Sequence, residues 1–193
     1  RAIGLWVLRT ACAQASKWLA EGLEFERIAV NVAGPQVQDP EFAEKVAEVL
    51  RQTGLPARHL ELEVTEGFVM HRAASSIRQL QKLRAKGIEI AIDDFGTGYS
   101  SLSYLKQLPI DTLKIDQSFV RDIPHDPNDM AISAAVVAIA DALGLKTVAE
   151  GLETTAQANF FREHGCQMAQ GYFFSKPLPP DEMVDCFKVV AES

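Results

Sequence analysis

A chain of 193 residues, 47% of them hydrophobic, is long enough for one sizeable core and too short for two comfortable domains. Its formal charge of -7, with 26 acidic against 19 basic residues, would repel a nucleic-acid polymer, and the basic residues are scattered along helical stretches rather than gathered into a groove. Cys12, Cys166 and Cys186 have no CxxC spacing and leave an odd count, so neither a zinc ribbon nor a disulfide framework is indicated and a reducing compartment fits best, and no apolar run approaches the roughly 20 residues needed to span a bilayer.

The chain opens directly in a helical pattern, with Ile3, Trp6, Val7 and Ala11 on one stripe that Ala15, Trp18 and Leu19 extend. A domain seldom starts in this way, so the protein is expected to continue upstream of Arg1. Short aliphatic or β-branched runs follow, each closing on or near a polar residue: Arg27 to Asn31, Leu60 to Glu66, Ile88 to Asp94, Thr112 to Asp116, Lys146 to Glu150, and Met168 to Phe173. Helical periodicity fills the gaps through Phe42, Val46, Val49 and Leu50, then Ile77, Leu80 and Leu83, then Ile132, Val136, Ile139 and Leu143. Asp39-Pro40 is placed to start the first of these helices, while Gly54, Gly87, Gly144 and Gly165 each follow one, where a left-handed residue is useful.

Strand alternating with helix predicts a parallel sheet with crossover helices. A doubly wound sheet would carry a glycine-rich phosphate loop after its first strand, and no GxGxxG is present. A polar residue at nearly every strand end is instead how a barrel builds a site at its carboxyl-terminal rim. The prediction is an α/β fold of the (β/α)8 TIM-barrel type, a single domain over residues 1–193, incomplete at the N-terminus with about six of its strands present.

The strand ends read Asn31, Glu63 with Glu66, Asp93 with Asp94, Lys114 with Asp116, Glu150 with Glu153, and Gln170. One acidic strand end is more often a helix cap than a ligand. A succession of them converging on one rim would repel unless something positive neutralised the charge, and oxygen donors without cysteine or histidine select Mg²⁺ or Mn²⁺ over zinc. Asp93 and Asp94 together could serve two ions. Glu66 and Glu153, three residues past another glutamate, read either as ligands or as braces for ligands. Lys114 alternates with Leu113 and Ile115, so it points with Asp116, as a structural ion pair or a catalytic group. His59, His71, His125 and His164 have no ligand spacing and are assigned no function. Phe160, Phe161, Phe173 and Phe174 are expected in the core.

Several motifs, in order over nearly the whole chain, make this sequence resemble the EAL domain family: IGLWVLRTAC, VNV around Asn31, LELEVTEG, IAIDDFGTGYSSLSYLKQLPIDTLKID, KTVAEGLET and MAQGYFFSKPLP. The resemblance implies a barrel that hydrolyses cyclic di-GMP to its linear dinucleotide pGpG with two Mg²⁺ or Mn²⁺ ions. It implies that Asn31, Glu63 and Asp93 ligate one metal, with Asp93 bridging to a second served by Asp94 and Asp116. Lys114 would hold or activate the attacking water, and Glu150 would be the general base or a further ligand. Glu66 and Glu153 would brace the loop after Asp94, and Gln170 would position water or metal.

Two departures stand out. The Glu-Ala-Leu strand that names the family, with one metal ligand and a nearby arginine, is absent, so this polypeptide by itself is expected to be impaired. Ala33 stands where the family usually has serine. A cyclic di-GMP sensor without catalysis is the alternative reading. The resemblance further implies a homodimer through the loop after Asp94 and the helix Ser100 to Leu108, upstream sensory or GGDEF-type domains, and a cytoplasmic location, with any membrane anchor lying in those upstream domains.

Overall fold

The computed structural model describes residues 2–71, 73–98 and 102–184. In chain order the elements are α1 (Ala2–Ala20), β1 (Ile28–Asn31), α2 (Gly34–Val37), α3 (Phe42–Thr53), β2 (Leu60–Thr65), α4 (Glu66–His71) and α5 (Ala73–Ala85). They continue as β3 (Glu89–Phe95), α6 (Leu102–Leu105), β4 (Thr112–Ile115), α7 (Pro127–Ala142), β5 (Lys146–Ala149), α8 (Thr155–Glu163) and β6 (Met168–Ala169). The strands form one parallel sheet in sequence order, curled into an incomplete TIM-barrel-like half-barrel. Each predicted run supplies a strand. The last is shorter than predicted, ending at Ala169 because the chain turns away at Gln170 and Gly171.

Period-two alternation sorts the strand residues onto two faces. Leu60, Leu62 and Val64 of β2, Ile90 and Ile92 of β3, and Leu113 and Ile115 of β4 are all buried in the core cluster with Val46 and Val49 of α3, Leu80 and Leu83 of α5, and Val136 and Ala140 of α7. The opposite face carries Glu61, Glu63, Ala91, Asp93, Thr112 and Lys114, so the concave side of this sheet is polar. The register places Glu61 beside Glu89, Ala91 beside Thr112, and Thr112 beside Lys146. Leu113 is fully buried in the middle of the sheet. Leu113→Ala is expected to cost about 2–5 kcal/mol of stability, read as a lower denaturant midpoint at unchanged slope.

Gly54, Gly87, Gly144 and Gly165 all take positive φ after helices, as expected. The start of α3 falls later than predicted: Asp39 accepts the Glu41 N–H on its side chain at 3.0 Å and turns the chain before Phe42. The face of α1 also differs. Ala15 is buried and Ala11 and Leu19 pack partly buried against the core as predicted, but in the first turns Leu8 and Cys12 are the buried positions while Ile3 and Trp6 are 78% and 64% exposed. Among the described residues no helix is long and apolar enough to cross a membrane.

Candidate active site

The strand ends meet on the polar concave face. Lys114 is nearly fully buried there, with its Nζ 2.7 Å from Glu63 Oε1, 2.7 Å from Glu150 Oε1 and 3.0 Å from Asp93 Oδ1. Burial alone would pull its pKa down, but hydrogen bonds to Glu150 and Glu63 and the charges of both outweigh desolvation and hold it above the ordinary lysine value. The ammonium therefore stays protonated at neutral pH and can donate but not accept. Glu150 moves upward for the opposite reason: burial raises its pKa, reinforced by Asp93 and Glu63 and opposed by Lys114.

Asp93 and Asp94 could not both face this site on a regular strand, because neighbouring side chains point to opposite sides. The ladder between β3 and β4 slips between Ile92 and Phe95, and Asp94 takes a left-handed φ of 55°. That bulge brings ligand atoms of Asp93, Asp94 and Glu150 within 4.8 Å of one another. Asp94 is raised by burial, then by the charges of Asp93 and Asp116 and a hydrogen bond with Asp116, with Lys114 opposing. A cleft of about 370 Å³ opens beside it, lined by Asp94, Asp116, Glu150, Glu153, Gln170 and Tyr172 among others.

Glu66 is buried at the first residue of α4 and accepts the Gly96 N–H at 2.8 Å, so it grips the loop that follows Asp94. A Cβ on Gly98 would press against the same carboxylate, 2.9 Å from Oε1, so that close approach requires glycine. Glu153 is exposed and, among the described residues, its side chain makes no hydrogen bond or ion pair. Gln170 is exposed on the cleft, and its backbone N–H donates to Ala149 O at 2.8 Å. Asn31 is exposed and sits beside Glu63 in the β1–β2 register. Residues 99–101, which include the start of the expected dimer helix, lie outside the described residues.

The donor set suits a hard cation. Among the described residues, Asp93 Oδ1 is a buried carboxylate oxygen without a hydrogen bond, since the Lys114 ammonium beside it is close enough for an ion pair but poorly directed. Among the described residues, five carboxylates, Glu63, Asp93, Asp94, Asp116 and Glu150, stand around one ammonium that pairs with three of them, a surplus of four negative charges when all are ionised. A divalent ion would offset that surplus with ligands that are all oxygen.

A second charged layer at the opposite strand ends was not anticipated. Arg27 Nη1 lies 2.7 Å from Glu89 and 3.6 Å from Glu61, Thr112 donates to Glu61 at 2.9 Å, and Lys146 pairs with Glu89 at 3.2 Å. The signal was present, because Glu61 and Glu63 share a face and so do Glu89 and Asp93. A cavity of about 540 Å³ near this layer is lined by Lys146 with Glu89 and Arg84 with Asp111, charges already paired with each other. Phe160 and Phe161 are buried as expected, but Phe173 and Phe174 are 39% and 60% exposed, stacked edge to face on the loop after β6 rather than in the core. β6 ends too early to carry them inward.

A family model described as the EAL domain matches residues 1–177. The chain is 48% identical over 174 residues to the cyclic di-GMP phosphodiesterase NbdA of Pseudomonas aeruginosa, a match covering 90% of this chain and 22% of NbdA. It is 44% identical over 182 residues to the bifunctional diguanylate cyclase/cyclic di-GMP phosphodiesterase MucR of the same species, covering 94% of this chain and 27% of MucR. The chain thus spans about a quarter of the length of these curated relatives. A solved structure of the PaMucR phosphodiesterase in complex with c-di-GMP superposes with a TM-score of 0.91 at 44% identity, covering 94% of this chain and 74% of that one. A manganese/cy-diGMP complex of Klebsiella pneumoniae BlrP1 superposes with a TM-score of 0.83 at 33% identity, covering 91% of this chain and 44% of that one.

Proposed function

The chain belongs to the EAL domain family, and from that premise we propose that it is the greater part of a phosphodiesterase domain that hydrolyses cyclic di-GMP to linear pGpG. The observation that carries the reading is the bulge at Asp94, which gathers Asp93, Asp94 and Glu150 onto one patch beside the buried Lys114. That patch suits two Mg²⁺ or Mn²⁺ ions, one held by Asn31, Glu63 and Asp93, the other by Asp93, Asp94 and Asp116. Bound there, such cations would acidify water and stabilise the charge that develops on the leaving oxygen.

The chain's own residues do the rest. Lys114, kept protonated by its carboxylates, donates a hydrogen bond to the attacking water or to a phosphate oxygen. Glu150, with its pKa raised by burial, accepts the water's proton. Glu66 keeps the loop after Asp94 closed against α4 through the Gly96 N–H, and of the residues that line the cleft Glu153 braces that loop and Gln170 orients water.

The manganese complex of BlrP1 supports the choice of cation, and the double activity in the name of MucR supports an upstream GGDEF-type or sensory domain in the parent protein. We extend the proposal to a homodimer through the loop after Asp94 and the helix containing α6, and to a cytoplasmic site of action.

The test is product analysis by chromatography with the full-length protein, cyclic di-GMP and Mg²⁺ or Mn²⁺. The expected result is pGpG, abolished by chelation and restored by excess Mn²⁺. Tight binding of cyclic di-GMP with no product under either metal would replace hydrolysis by sensing.

A further inference from the structure

We infer that Gln157 is a positioning residue that fixes the spacing between the loop carrying Asp116 and the loop carrying Glu150, and through that spacing sets the affinity of the cleft for its divalent cation. The inference rests on the metal-site reading above and assigns a role to a residue outside the cleft.

Gln157 sits in the first turn of α8 and is 4% exposed. A primary amide has two donor hydrogens and two acceptor lone pairs. Gln157 uses all of them: Oε1 accepts from Glu153 N at 2.8 Å and Thr154 N at 3.0 Å, and Nε2 donates to Val120 O at 3.1 Å and Arg121 O at 3.2 Å. A capping box at Thr154 requires only the bond to Thr154 N. The remaining bonds connect two different loops, the one after β4 and the one after β5.

Each of those loops is stiff apart from this link. After β4, Asp116 Oδ1 accepts from Ser118 N at 2.9 Å, and Ser133 of α7 donates to Phe119 O at 3.2 Å. After β5, Leu152 N donates to Gln170 O at 3.1 Å and Phe173 N to Leu152 O at 2.8 Å, which joins the β5 loop to the β6 loop. The β4 and β5 loops also touch directly at Gly151, whose φ is 71° and where an added Cβ would meet Gln117 Cβ at 2.7 Å. Gln157 is therefore a buried amide that spans the loops presenting Asp116 and Glu150 to the same cleft. Loss of the bonds to Val120 and Arg121 frees the Asp116 loop to shift relative to Glu150, and carboxylates a fraction of an ångström out of place hold a cation poorly.

The experiment compares three variants of the full-length protein by calorimetric titration with Mn²⁺, by the Mn²⁺ dependence of cyclic di-GMP hydrolysis, and by chemical denaturation in chelator. Gln157→Glu keeps both acceptor bonds and the cap but turns an acceptor against Val120 O and Arg121 O. Gln157→Met removes every bond at similar volume. Thr154→Ala removes the hydroxyl that accepts Gln157 N and leaves the link between loops intact. Both Gln157 variants are expected to weaken Mn²⁺ binding by about tenfold or more and to raise the Mn²⁺ needed for half-maximal rate, with kcat at saturating Mn²⁺ within about threefold of wild type. Thr154→Ala is expected to lower stability with Mn²⁺ affinity unchanged. If Gln157→Glu loses stability yet binds Mn²⁺ as wild type does, Gln157 is only a helix cap and the inference fails. If the wild-type protein itself binds no Mn²⁺, the metal-site reading fails first and takes the inference with it.

Discussion

Asp93→Ala is expected to lower cyclic di-GMP hydrolysis by about a thousandfold or more at saturating Mn²⁺, because the two cations proposed to share this carboxylate would lose their bridge together. Lewis-acid stabilisation by bound metal is worth several kcal/mol, and about 4 kcal/mol corresponds to a thousandfold in rate. The position has no substitute. Asp94 reaches the patch only through its left-handed φ, and Glu63 and Glu150 are already engaged with Lys114 at 2.7 Å each. Removing one of three carboxylates from Lys114 leaves two in place, so the fold should survive, and a wild-type circular dichroism spectrum would confirm that it has. A variant that turns over substrate within about threefold of wild type would remove Asp93 from the proposed bridge.

Lys114→Met is expected to give two effects that separate when cation is supplied. Among the described residues, the ammonium is the one positive charge in contact with Glu63, Asp93 and Glu150, and taking away a single partner of a buried ion cluster costs about 3 kcal/mol or more. In chelator the variant should therefore unfold at clearly lower denaturant than wild type. A cation at about a hundred times its dissociation constant contributes about 2.7 kcal/mol to the folded state. Because it would neutralise the same carboxylates, Mn²⁺ should narrow the stability gap between the variant and wild type. Hydrolysis should stay about a hundredfold or more below wild type even then, since the metal replaces the lysine's charge but not its donated hydrogen bond. A stability gap that Mn²⁺ leaves unchanged would mean that the lysine and the cation do not act on the same carboxylates.

Much of the site's composition could be read directly from the chain. Alternation of Lys114 with Leu113 and Ile115 requires the lysine to face away from the core, and the structure puts it on the concave face among carboxylates. The same rule, applied to Glu61 with Glu63 and Glu89 with Asp93, would have disclosed the second charged layer built around Arg27. Glu61 and Glu89 stand near the starts of their strands, whereas a barrel's site forms at the strand ends, so their shared face gives a structural layer rather than a site. The first turns of α1 bury a different face from the expected stripe for another reason. Apolar residues occur nearly all round that helix, so hydrophobicity alone does not choose between Ile3 and Trp6 on one side and Leu8 and Cys12 on the other.

By itself the sequence determined the order of strands and helices, the polar character of the strand ends and the oxygen-only donor set, because strand periodicity and residue chemistry act over a few neighbours. Only the tertiary structure decided that two consecutive aspartates share one patch, that Glu66 grips the loop behind them, and that Gln157 joins the loops after β4 and β5. Those facts depend on a register slip between β3 and β4 and on contacts between residues some 30 positions or more apart in the chain, which no local pattern encodes.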